Sequence, residues 1–289
     1  MYQPLECRPD SYYEWYQQGN QLRAEGYYQE ALSSYERALN YHPRDYWTWY
    51  RKGVVLEALG CYSEAIDSYT QAIAIEPNNY WAWYEKGCIY FTEFGQYRQA
   101  ISCFDRALSA HPQDYWVIYR IAEAWRRLGK YETAILYYDR ALELRPQDFW
   151  SYYRKGEAQQ HWNKLKLALD SYRQALNIEP NDYWAWYHHG TVLQQLEDFE
   201  SAIGSYDRAI DLDSIFDLAY YQRGCCYARL NNTNWAILNL EWAIDLYPER
   251  YLELAETEPE WNRFRHQTGF QLLLTNKKRI YSLREARTN

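Results

Sequence analysis

The chain has 289 residues, of which 47% are hydrophobic, and its net charge of −8 argues against a general nucleic-acid binder, which needs a basic surface to displace counterions from phosphates. Its six cysteines are scattered without a Cys-x-x-Cys pair, which predicts free thiols rather than a disulfide framework or a zinc site. No stretch approaches roughly 18 apolar residues and no signal-peptide pattern opens the chain, so we expect no transmembrane segment and a cytoplasmic protein.

A short aromatic pattern returns along the chain at nearly constant intervals. Residues 46–53 read YWTWYRKG and residues 80–87 read YWAWYEKG, with related versions at 149–156 and 183–190. The first step is 34 residues, and a fixed period of this size is typical of a helical solenoid. After a lead at 1–11, which holds Pro4 and Pro9 and is predicted to be irregular, we therefore expect seven repeats. They span residues 12–45, 46–79, 80–114, 115–148, 149–182, 183–216 and 217–250.

With position 1 as the first residue of a repeat, the pattern predicts two helices in each unit. An Asp or Asn precedes position 1 in most repeats and can cap the first helix, and a proline at position 32 ends the second helix. Small residues at positions 8, 20 and 27 let the helices approach, while bulky residues at positions 4, 11 and 24 fill the space between them. The expected core therefore includes the aromatic residues at position 4, which are Trp15, Trp49, Trp83, Tyr152 and Trp186.

This spacing of Trp, Gly, Ala, aromatic, Ala and Pro resembles the tetratricopeptide repeat family over residues 12–250. The resemblance implies an all-α fold, a right-handed superhelical α-solenoid whose first helices line a concave face. Three departures from the family pattern stand out. The usual leucine at position 7 is replaced, mostly by polar residues, repeat 3 has one extra residue, and repeat 6 ends at Ser214 without the proline. We therefore expect an irregular seam between repeats 6 and 7.

The C-terminal segment, residues 251–289, leaves the repeat pattern. Three apolar stretches, at 251–255, 260–264 and 270–274, predict short helices that cap the open end of the array. The last 13 residues hold five basic residues against one acidic residue. Such a basic tail could touch an anionic membrane as a peripheral contact, or an acidic partner, or it could be an ordinary solvated terminus.

A helical wheel places positions 2, 6, 9 and 13 of the first helix opposite the core, where the family opens onto its groove. Two interpretations of the aromatic residues there stay open: they brace neighbouring repeats, or they form an aromatic binding groove. Arginines nearby could hold a carboxylate or stack on a ring. The candidate groove residues are Trp47, Trp81, Trp116, Trp150 and Trp184 at position 2, Tyr50, Tyr84, Tyr119, Tyr153 and Tyr187 at position 5, Arg51, Arg120 and Arg154 at position 6, and Arg127 at position 13.

The expected partner is a protein or peptide segment, helical or extended, with apolar anchors and some acidic groups. The family's carboxylate clamp uses Lys at position 5 and Asn at position 9, but position 5 is Tyr throughout and only Asn20 matches at position 9. This clamp is therefore not expected. The Trp- and Tyr-rich repeats also resemble tetratricopeptide proteins common in cyanobacteria, some of which assist assembly of photosynthetic membrane complexes.

Catalytic motifs are missing from the sequence: there is no His-Glu-x-x-His, no Gly-x-Ser-x-Gly and no phosphate-binding glycine loop. We therefore predict no catalytic residue, no metal site and no cofactor. The favoured function is a non-enzymatic interaction scaffold that acts as an adaptor or assembly factor for a larger complex. Two alternatives stay open, a self-associating structural oligomer and a regulatory module for a separate enzyme, and the sequence leaves the oligomeric state undecided.

Overall fold

The computed structural model describes the backbone of residues 11–288 and the side chains of residues 11–281. Residues 1–10 of the predicted lead, and the side chains of Arg284 and Arg287 in the basic tail, lie outside the described residues. The chain divides into two compact units, residues 1–145 and residues 146–289, which are described separately below.

The first unit consists of four helix pairs. Its helices are α1 (Tyr12–Ala24), α2 (Tyr28–Tyr41), α3 (Tyr46–Ala58), α4 (Tyr62–Ile75), α5 (Tyr80–Thr92), α6 (Tyr97–Ala110), α7 (Tyr115–Arg127) and α8 (Tyr131–Leu144). Each odd-numbered helix is the first helix of a repeat and packs against the even-numbered helix that follows it. The extra residue of repeat 3 lengthens the α5–α6 loop, where Gly95 has a φ of 60°.

The second unit consists of three helix pairs and a C-terminal segment. Its elements are α9 (Phe149–His161), α10 (Leu165–Ile178), α11 (Tyr183–Gln195), α12 (Phe199–Leu212), α13 (Asp217–Arg229), α14 (Thr233–Leu246), α15 (Pro248–Thr257), a 3-10 turn (Pro259–Trp261) and α16 (Thr268–Thr288). The predicted all-α solenoid fold is confirmed, because the described residues form tandem helix pairs.

Helix ends follow the sequence signals. Asp45, Asp114, Asp148 and Asp182 each accept a hydrogen bond from a main-chain N–H in the first turn of the following helix, as the capping pattern predicts. Every second helix of repeats 1–5 ends two residues before the proline at position 32. Proline cannot donate a main-chain hydrogen bond, so the chain leaves the helix there and turns toward the next repeat.

In repeats 1, 2, 3, 5 and 6 the two helices meet where an aromatic ring lies on a glycine, whereas repeat 4 has Ala122 in place of the glycine and repeat 7 has Leu240 in place of the ring. A Cβ atom added to Gly53 would lie 2.6 Å from the ring of Tyr69, and one added to Gly190 would lie 2.8 Å from the ring of Tyr206. Both rings are fully buried. Glycine at position 8 therefore provides the space that the ring at position 24 fills, and the alanines at positions 20 and 27 are buried beside it.

Position 4 is less buried than the sequence predicts. Only Trp15 of the five residues is buried, whereas the other four are half-buried. The indole N–H groups of Trp49, Trp83 and Trp186 each donate a hydrogen bond of 2.8 Å to the carbonyl of the proline that ends the preceding repeat. These residues lie at the seam between repeats because the indole N–H needs an acceptor that a fully apolar core does not supply.

Polar side chains join successive repeats. The hydroxyl of Tyr46 donates to Asn79 Oδ1 at 2.8 Å and accepts from the main-chain N–H of Ala82 at 3.2 Å. Position 7, where the family has leucine, makes a second link: Lys52 Nζ lies 2.9 Å from Glu36, and Lys86 Nζ lies 2.8 Å from Thr70 Oγ1. Polar contacts between neighbouring repeats thus take the place of the apolar contact expected at this position.

The seam between repeats 6 and 7 is regular, which corrects the expectation of an irregular joint. The loop between α12 and α13 has four residues, as in repeat 5. Phe216 replaces the capping aspartate and is buried against Tyr183, Trp184 and Tyr187, with ring centroids 5.0, 4.8 and 5.2 Å away. An aromatic contact therefore fixes the start of α13 where the side-chain cap is missing.

The C-terminal segment packs on repeat 7, but its helices differ from the prediction. Trp261 is fully buried and donates its indole N–H to the hydroxyl of Tyr221 at 3.2 Å. Phe264 and Phe270 are buried beside it. The stretch predicted as a short helix at 270–274 belongs to the longer α16, whose Lys277 is 2.9 Å from Glu241 and 2.7 Å from Asp245. These ion pairs lie beyond the apolar stretch, so hydrophobic periodicity alone predicted a helix that is too short.

The contact between glycine and ring makes a paired prediction within repeat 6. Gly190→Ala adds a Cβ that must displace the buried ring of Tyr206, and we expect a loss of about 1 kcal/mol or more in unfolding free energy. Gly204→Ala lies on the exposed side of α12 with nothing near its Cβ position, and we expect a gain of about 0.5–1 kcal/mol from helix propensity. Urea unfolding of both variants measures the sign, and two changes of the same sign would contradict the packing argument.

The link from Tyr46 predicts a cost for removing one oxygen atom. Tyr46→Phe leaves the buried main-chain N–H of Ala82 without its acceptor, and we expect a loss of about 1–3 kcal/mol in unfolding free energy. Hydrogen exchange at the Ala82 amide should accelerate. Tyr13→Phe, at an exposed side chain, is the control and should change stability by less than about 0.5 kcal/mol. Unchanged exchange at Ala82 would show that the hydroxyl does not join the repeats.

Candidate functional site: the first-helix face

Within each unit, the surface formed by positions 2, 6, 9, 12 and 13 of the first helices is called the first-helix face. Five tryptophans at position 2 lie on it, three in the first unit and two in the second. Their exposed fractions run from 39% for Trp184 to 55% for Trp116, with Trp47, Trp81 and Trp150 between them. These side chains point away from the core, as the helical wheel predicts, and large apolar side chains left in water are candidates for interaction sites.

Each tryptophan is held on one side. The indole of Trp47 lies edge-on to Tyr46, and that of Trp81 lies edge-on to Tyr80, both with ring centroids 5.1 Å apart. Trp150 meets Phe149 at the same distance in the second unit. The bracing and binding interpretations are therefore compatible, because position 1 orients the indole while its other face stays open. A rigid, half-exposed indole loses little conformational entropy on binding.

The tyrosines at position 5 lie deeper than the tryptophans. Tyr50 and Tyr153 are buried, and Tyr84, Tyr119 and Tyr187 are half-buried. The hydroxyl of Tyr50 donates to Glu85 in the next repeat at 3.4 Å, and the ring of Tyr153 meets His188 of the next repeat at 5.6 Å. These side chains therefore join repeats, and the buried ones lie beneath the face rather than on it.

The four candidate arginines differ in their surroundings. Arg154 forms an ion pair of 2.7 Å with Glu157, and its guanidinium lies 5.8 Å from the ring of Trp150. Arg51 is half-buried with its guanidinium 5.6 Å from the ring of Tyr50, and its buried Nε has no hydrogen-bond partner among the described residues. Arg120 lies 5.6 Å from the ring of Phe91, and Arg127 is exposed.

Three glutamates on the first-helix face of the first unit were not among the predicted site residues. Glu57 accepts from the hydroxyl of Tyr69 at 3.1 Å, and Glu123 accepts from the hydroxyl of Tyr138 and pairs with Arg126 at 2.9 Å. Burial, and the nearby charge of Glu57, raise the pKa of Glu85 to about 7. For Glu57 and Glu123, the signal that could have found them is the tyrosine at position 24, whose buried hydroxyl needs an acceptor.

In the second unit the same face carries amides. A cavity of about 570 Å³ is lined by Gln160, Thr191, Gln194, Gln195 and Gln222, with Tyr187 and His188 beside them, and this cavity is called the amide pocket. The hydroxyl of Tyr206 donates to Gln194 at 2.8 Å, whereas repeats 2 and 4 of the first unit have carboxylates as acceptors. These glutamines were not predicted from the sequence, because no charge or aromatic signal marks them.

Two histidines flank this region, and both are held in the neutral form. Burial lowers the pKa of His188, whose ring is stacked 5.8 Å from that of Tyr172. Burial also lowers the pKa of His189 to about 4, and its Nδ1 lies 2.9 Å from Ser205 Oγ. The Ser205 hydroxyl donates to the carbonyl of Ser201 at 3.1 Å, so His189 acts as the donor in this pair. Such a histidine supports the core and does not activate the serine as a base would.

A survey of residues 11–281 finds no group of three or more His, Cys, Asp or Glu side chains arranged to hold a metal ion. Within the same described part of the chain, no helix combines the length and the apolar character that crossing a bilayer requires. The side chains that the first-helix face offers are aromatic rings, arginines, carboxylates and amides.

Comparisons with protein-family models place tetratricopeptide repeats along much of the array. Matches of this kind cover residues 46–79, 68–102, 89–149 and 185–216. A model of the protein prenyltransferase alpha subunit repeat also matches, at residues 28–59 and 165–196. Each of these two segments runs from a second helix into the first helix of the next repeat, so this model is offset by half a repeat.

Solved structures with the same fold include three helical repeat proteins. YrrB, described as a tetratricopeptide repeat protein with an unusual peptide-binding site, is 22% identical, with a TM-score of 0.59 over 65% of this chain and 97% of its own. MamA from Desulfovibrio magneticus is 21% identical, with a TM-score of 0.55 over 60% of this chain and 97% of its own. The C-terminal part of a repeat protein from Cytophaga hutchinsonii is 17% identical, with a TM-score of 0.70 over 82% and 98%. A search of curated proteins found no match.

The raised pKa of Glu85 predicts a pH dependence of stability. Between about pH 4.5 and pH 7 the unfolded chain releases a proton that the folded chain keeps, so the unfolding free energy falls as the pH rises through this window. Glu85→Gln should reduce this slope and raise the unfolding free energy at pH 8 by roughly 1–3 kcal/mol. Urea unfolding at a series of pH values measures it.

The matched control for this series is Glu132→Gln, at an exposed carboxylate of α8. We expect its stability profile to follow that of the unsubstituted chain across the same pH range. A Glu85→Gln profile with the original slope would mean that this carboxyl does not keep its proton near neutral pH.

Proposed function

Because the chain is a tetratricopeptide repeat protein, and thus has the fold of a protein-interaction scaffold, we propose that its first-helix face binds a segment of a partner protein. The observation that carries this proposal is the exposure of five tryptophans at the same repeat position. Large apolar side chains that stay exposed at one position of successive repeats mark an interaction site better than scattered ones do, and tryptophan is among the residues that dominate interface energetics. The protein acts without catalysis, as an adaptor or assembly factor for a larger complex.

The composition of the face narrows the kind of segment that fits. Apolar side chains of the partner would cover the open faces of Trp47, Trp81 and Trp116 in the first unit, and of Trp150 and Trp184 in the second. An acidic group of the partner would meet Arg51, whose Nε has no hydrogen-bond partner among the described residues, or Arg127, which is exposed. The similar protein YrrB is described as having a peptide-binding site, which supports a peptide ligand here as well.

Arg154 is a poorer candidate for an acidic group, because Glu157 already neutralises it at 2.7 Å. Its guanidinium lies near the indole of Trp150, where the positive charge can make a cation–π contact with the ring. A part in assembling photosynthetic complexes stays a prediction that rests on the resemblance of the Trp-rich repeats alone. A cytoplasmic location and the contacts of the basic C-terminal tail are likewise predictions.

A second candidate function is that of a helical subunit for a separate enzyme. The specific observation in its favour is the match of two segments to the repeat of a protein prenyltransferase alpha subunit, which is one chain of an enzyme. In this case the partner would be a folded catalytic chain rather than a peptide segment. The same experiment separates the two, because it identifies what the first-helix face retains.

The test removes three of the tryptophans together. Trp81→Ala, Trp116→Ala and Trp150→Ala in one variant should lower partner recovery at least about tenfold in a pull-down from the native cell, quantified by mass spectrometry. The substitutions remove exposed apolar surface, so the circular dichroism spectrum and the unfolding midpoint should change little.

The matched control replaces three aromatic residues of comparable exposure that lie outside position 2, namely Phe94→Ala, Trp162→Ala and Trp235→Ala. Its recovery should equal that of the unsubstituted chain. Equal recovery by the folded Trp81, Trp116 and Trp150 variant would exclude the first-helix face as the binding surface. Recovery of a catalytic chain whose activity depends on this protein would favour the second candidate.

A further inference from the structure

The C-terminal segment closes the array with apolar side chains before the second half of α16 begins. Trp261, Phe264 and Phe270 are buried together on repeat 7, with the ring centroids of Trp261 and Phe270 6.0 Å apart. Leu273 and Leu274 are half-buried and pack against the same cluster. The apolar contact that the end of a solenoid needs therefore lies within residues 261–274.

From residue 275 to residue 281, the last one whose side chain is described, α16 is held by polar contacts. Ile280 in this stretch is 47% exposed, so it adds little to the apolar contact. Three side chains instead reach acidic residues of α14 and α15. The contacts are Lys277 with Glu241 at 2.9 Å and Asp245 at 2.7 Å, Lys278 with Glu256, and the Tyr281 hydroxyl with Glu249.

The acids that α16 contacts belong to a longer row. Along α14 and α15 there are five acidic residues, three or four positions apart, against one base, Arg250, which lies 3.6 Å from Asp217. Residues three or four apart are neighbours on the surface of an α-helix, so the acids of each helix line up along it. These five residues are called the acidic row, and they are Glu241, Asp245, Glu249, Glu253 and Glu256.

The second half of α16 can leave the acidic row while the apolar cluster stays closed. The side chains of Asp245, Lys278 and Glu256 are about half exposed, and ion pairs between exposed side chains contribute little to stability and are screened by salt. Lys277 is better covered, with 14% of its side chain exposed. Release would leave five carboxylates beside one base, and such a surface attracts positive charge.

We propose that the acidic row is a docking surface for a basic helix of a partner protein, and that the second half of α16 occupies it in the free protein. The helix is the form of the ligand that the chain itself displays there. Lys277 and Tyr281 are one turn apart and meet the row from the same side of α16. The partner helix competes with α16 for the same acids, so its binding is linked to release of α16.

This surface lies outside the first-helix face, because α14 is the second helix of repeat 7 and α15 follows the last repeat. The proposal therefore does not depend on the binding of a segment at the exposed tryptophans. Loss of the three tryptophans Trp81, Trp116 and Trp150 should leave binding at the acidic row unchanged.

The experiment measures binding of a fluorescent synthetic peptide of residues 274–289, with five basic residues and one acidic residue, to the full chain by fluorescence anisotropy. The double variant Lys277→Glu and Lys278→Glu replaces attraction to the acidic row with repulsion. We expect it to bind the peptide at least about tenfold more tightly than the unsubstituted chain, because its own α16 no longer competes. Binding should weaken when salt is raised from about 0.05 M to about 0.5 M.

Two control variants locate the effect on the acidic row. Thr275→Glu with Asn276→Glu adds two carboxylates to the same turn of α16 at exposed positions, and this variant should bind the peptide like the unsubstituted chain. Adding Glu241→Lys and Asp245→Lys to the double lysine variant should abolish the gain, since the row then repels the peptide.

Three outcomes would overturn the proposal. The first is equal peptide affinity of the double lysine variant and the unsubstituted chain, with the same circular dichroism spectrum. The second is equal affinity for a scrambled peptide of the same composition, which would indicate general charge attraction.

The third comes from hydrogen exchange of the unsubstituted chain and needs no substitution. A released half-helix is too short to persist in water, so amides of residues 275–281 should exchange at least about tenfold faster than those of α13, and faster still at high salt. Exchange as slow as that of α13 would show that α16 does not leave the row.

Discussion

The structure depends on one contact, the ring at position 24 lying on a small residue at position 8, which is glycine in every repeat except repeat 4, where it is Ala122. The approach is so close that a methyl group on Gly53 or Gly190 would lie within 3 Å of ring atoms. This contact sets the distance between the helices of a repeat, and the alanines at positions 20 and 27 are needed because the helices are then too close for larger side chains. Repeat 7 has Leu240 in place of the ring, and there Trp261 from the C-terminal segment comes within 3.4 Å of the Cβ position of Gly224. An aromatic side chain thus fills the same space, but the chain supplies it from outside the repeat.

Because of this contact, the hydroxyl of a tyrosine at position 24 passes the first helix and lies next to the first-helix face. A fully buried tyrosine needs a hydrogen-bond acceptor, because an unpaired buried hydroxyl is costly. In five repeats the acceptor is a polar residue at position 9 or 12, on the first-helix face. The acceptors are Asn20, Glu57, Glu123, Gln160 and Gln194. The packing of the core therefore dictates that the proposed binding face is polar beneath its tryptophans, although nothing in the packing decides whether the polar residue is an acid or an amide.

Features that depend on local spacing could be predicted from the sequence, whereas features that depend on contacts between repeats could not. Helix ends, caps and the outward direction of Trp47 or Trp116 follow from local spacing, because an α-helix has one period and its caps have few residue types. The half-buried state of Trp49 and the regular seam at Phe216 depend on contacts between repeats, and a pattern defined within one repeat does not report them. The glutamines of the amide pocket could not be predicted from the sequence for a related reason. A glutamine on a helix surface is ordinary, and it gains meaning only when Tyr172 or Tyr206 is seen to fix its oxygen.

The acceptors of the buried tyrosines include acids in the first unit and are amides in the second, so the two units respond differently to pH. Side-chain amides do not titrate, and burial keeps His188 neutral by lowering its pKa, so the four glutamines of the amide pocket and His188 keep one charge state around neutral pH. In the first unit Glu85 changes charge near pH 7, beneath the same arrangement of tryptophans. Exposed indoles contribute apolar area with little selectivity, because many apolar side chains can cover them. For the proposed binding function, selectivity would then come from the polar layer below, and its composition would make recognition in the first unit sensitive to charge and recognition in the second unit sensitive to hydrogen-bond geometry.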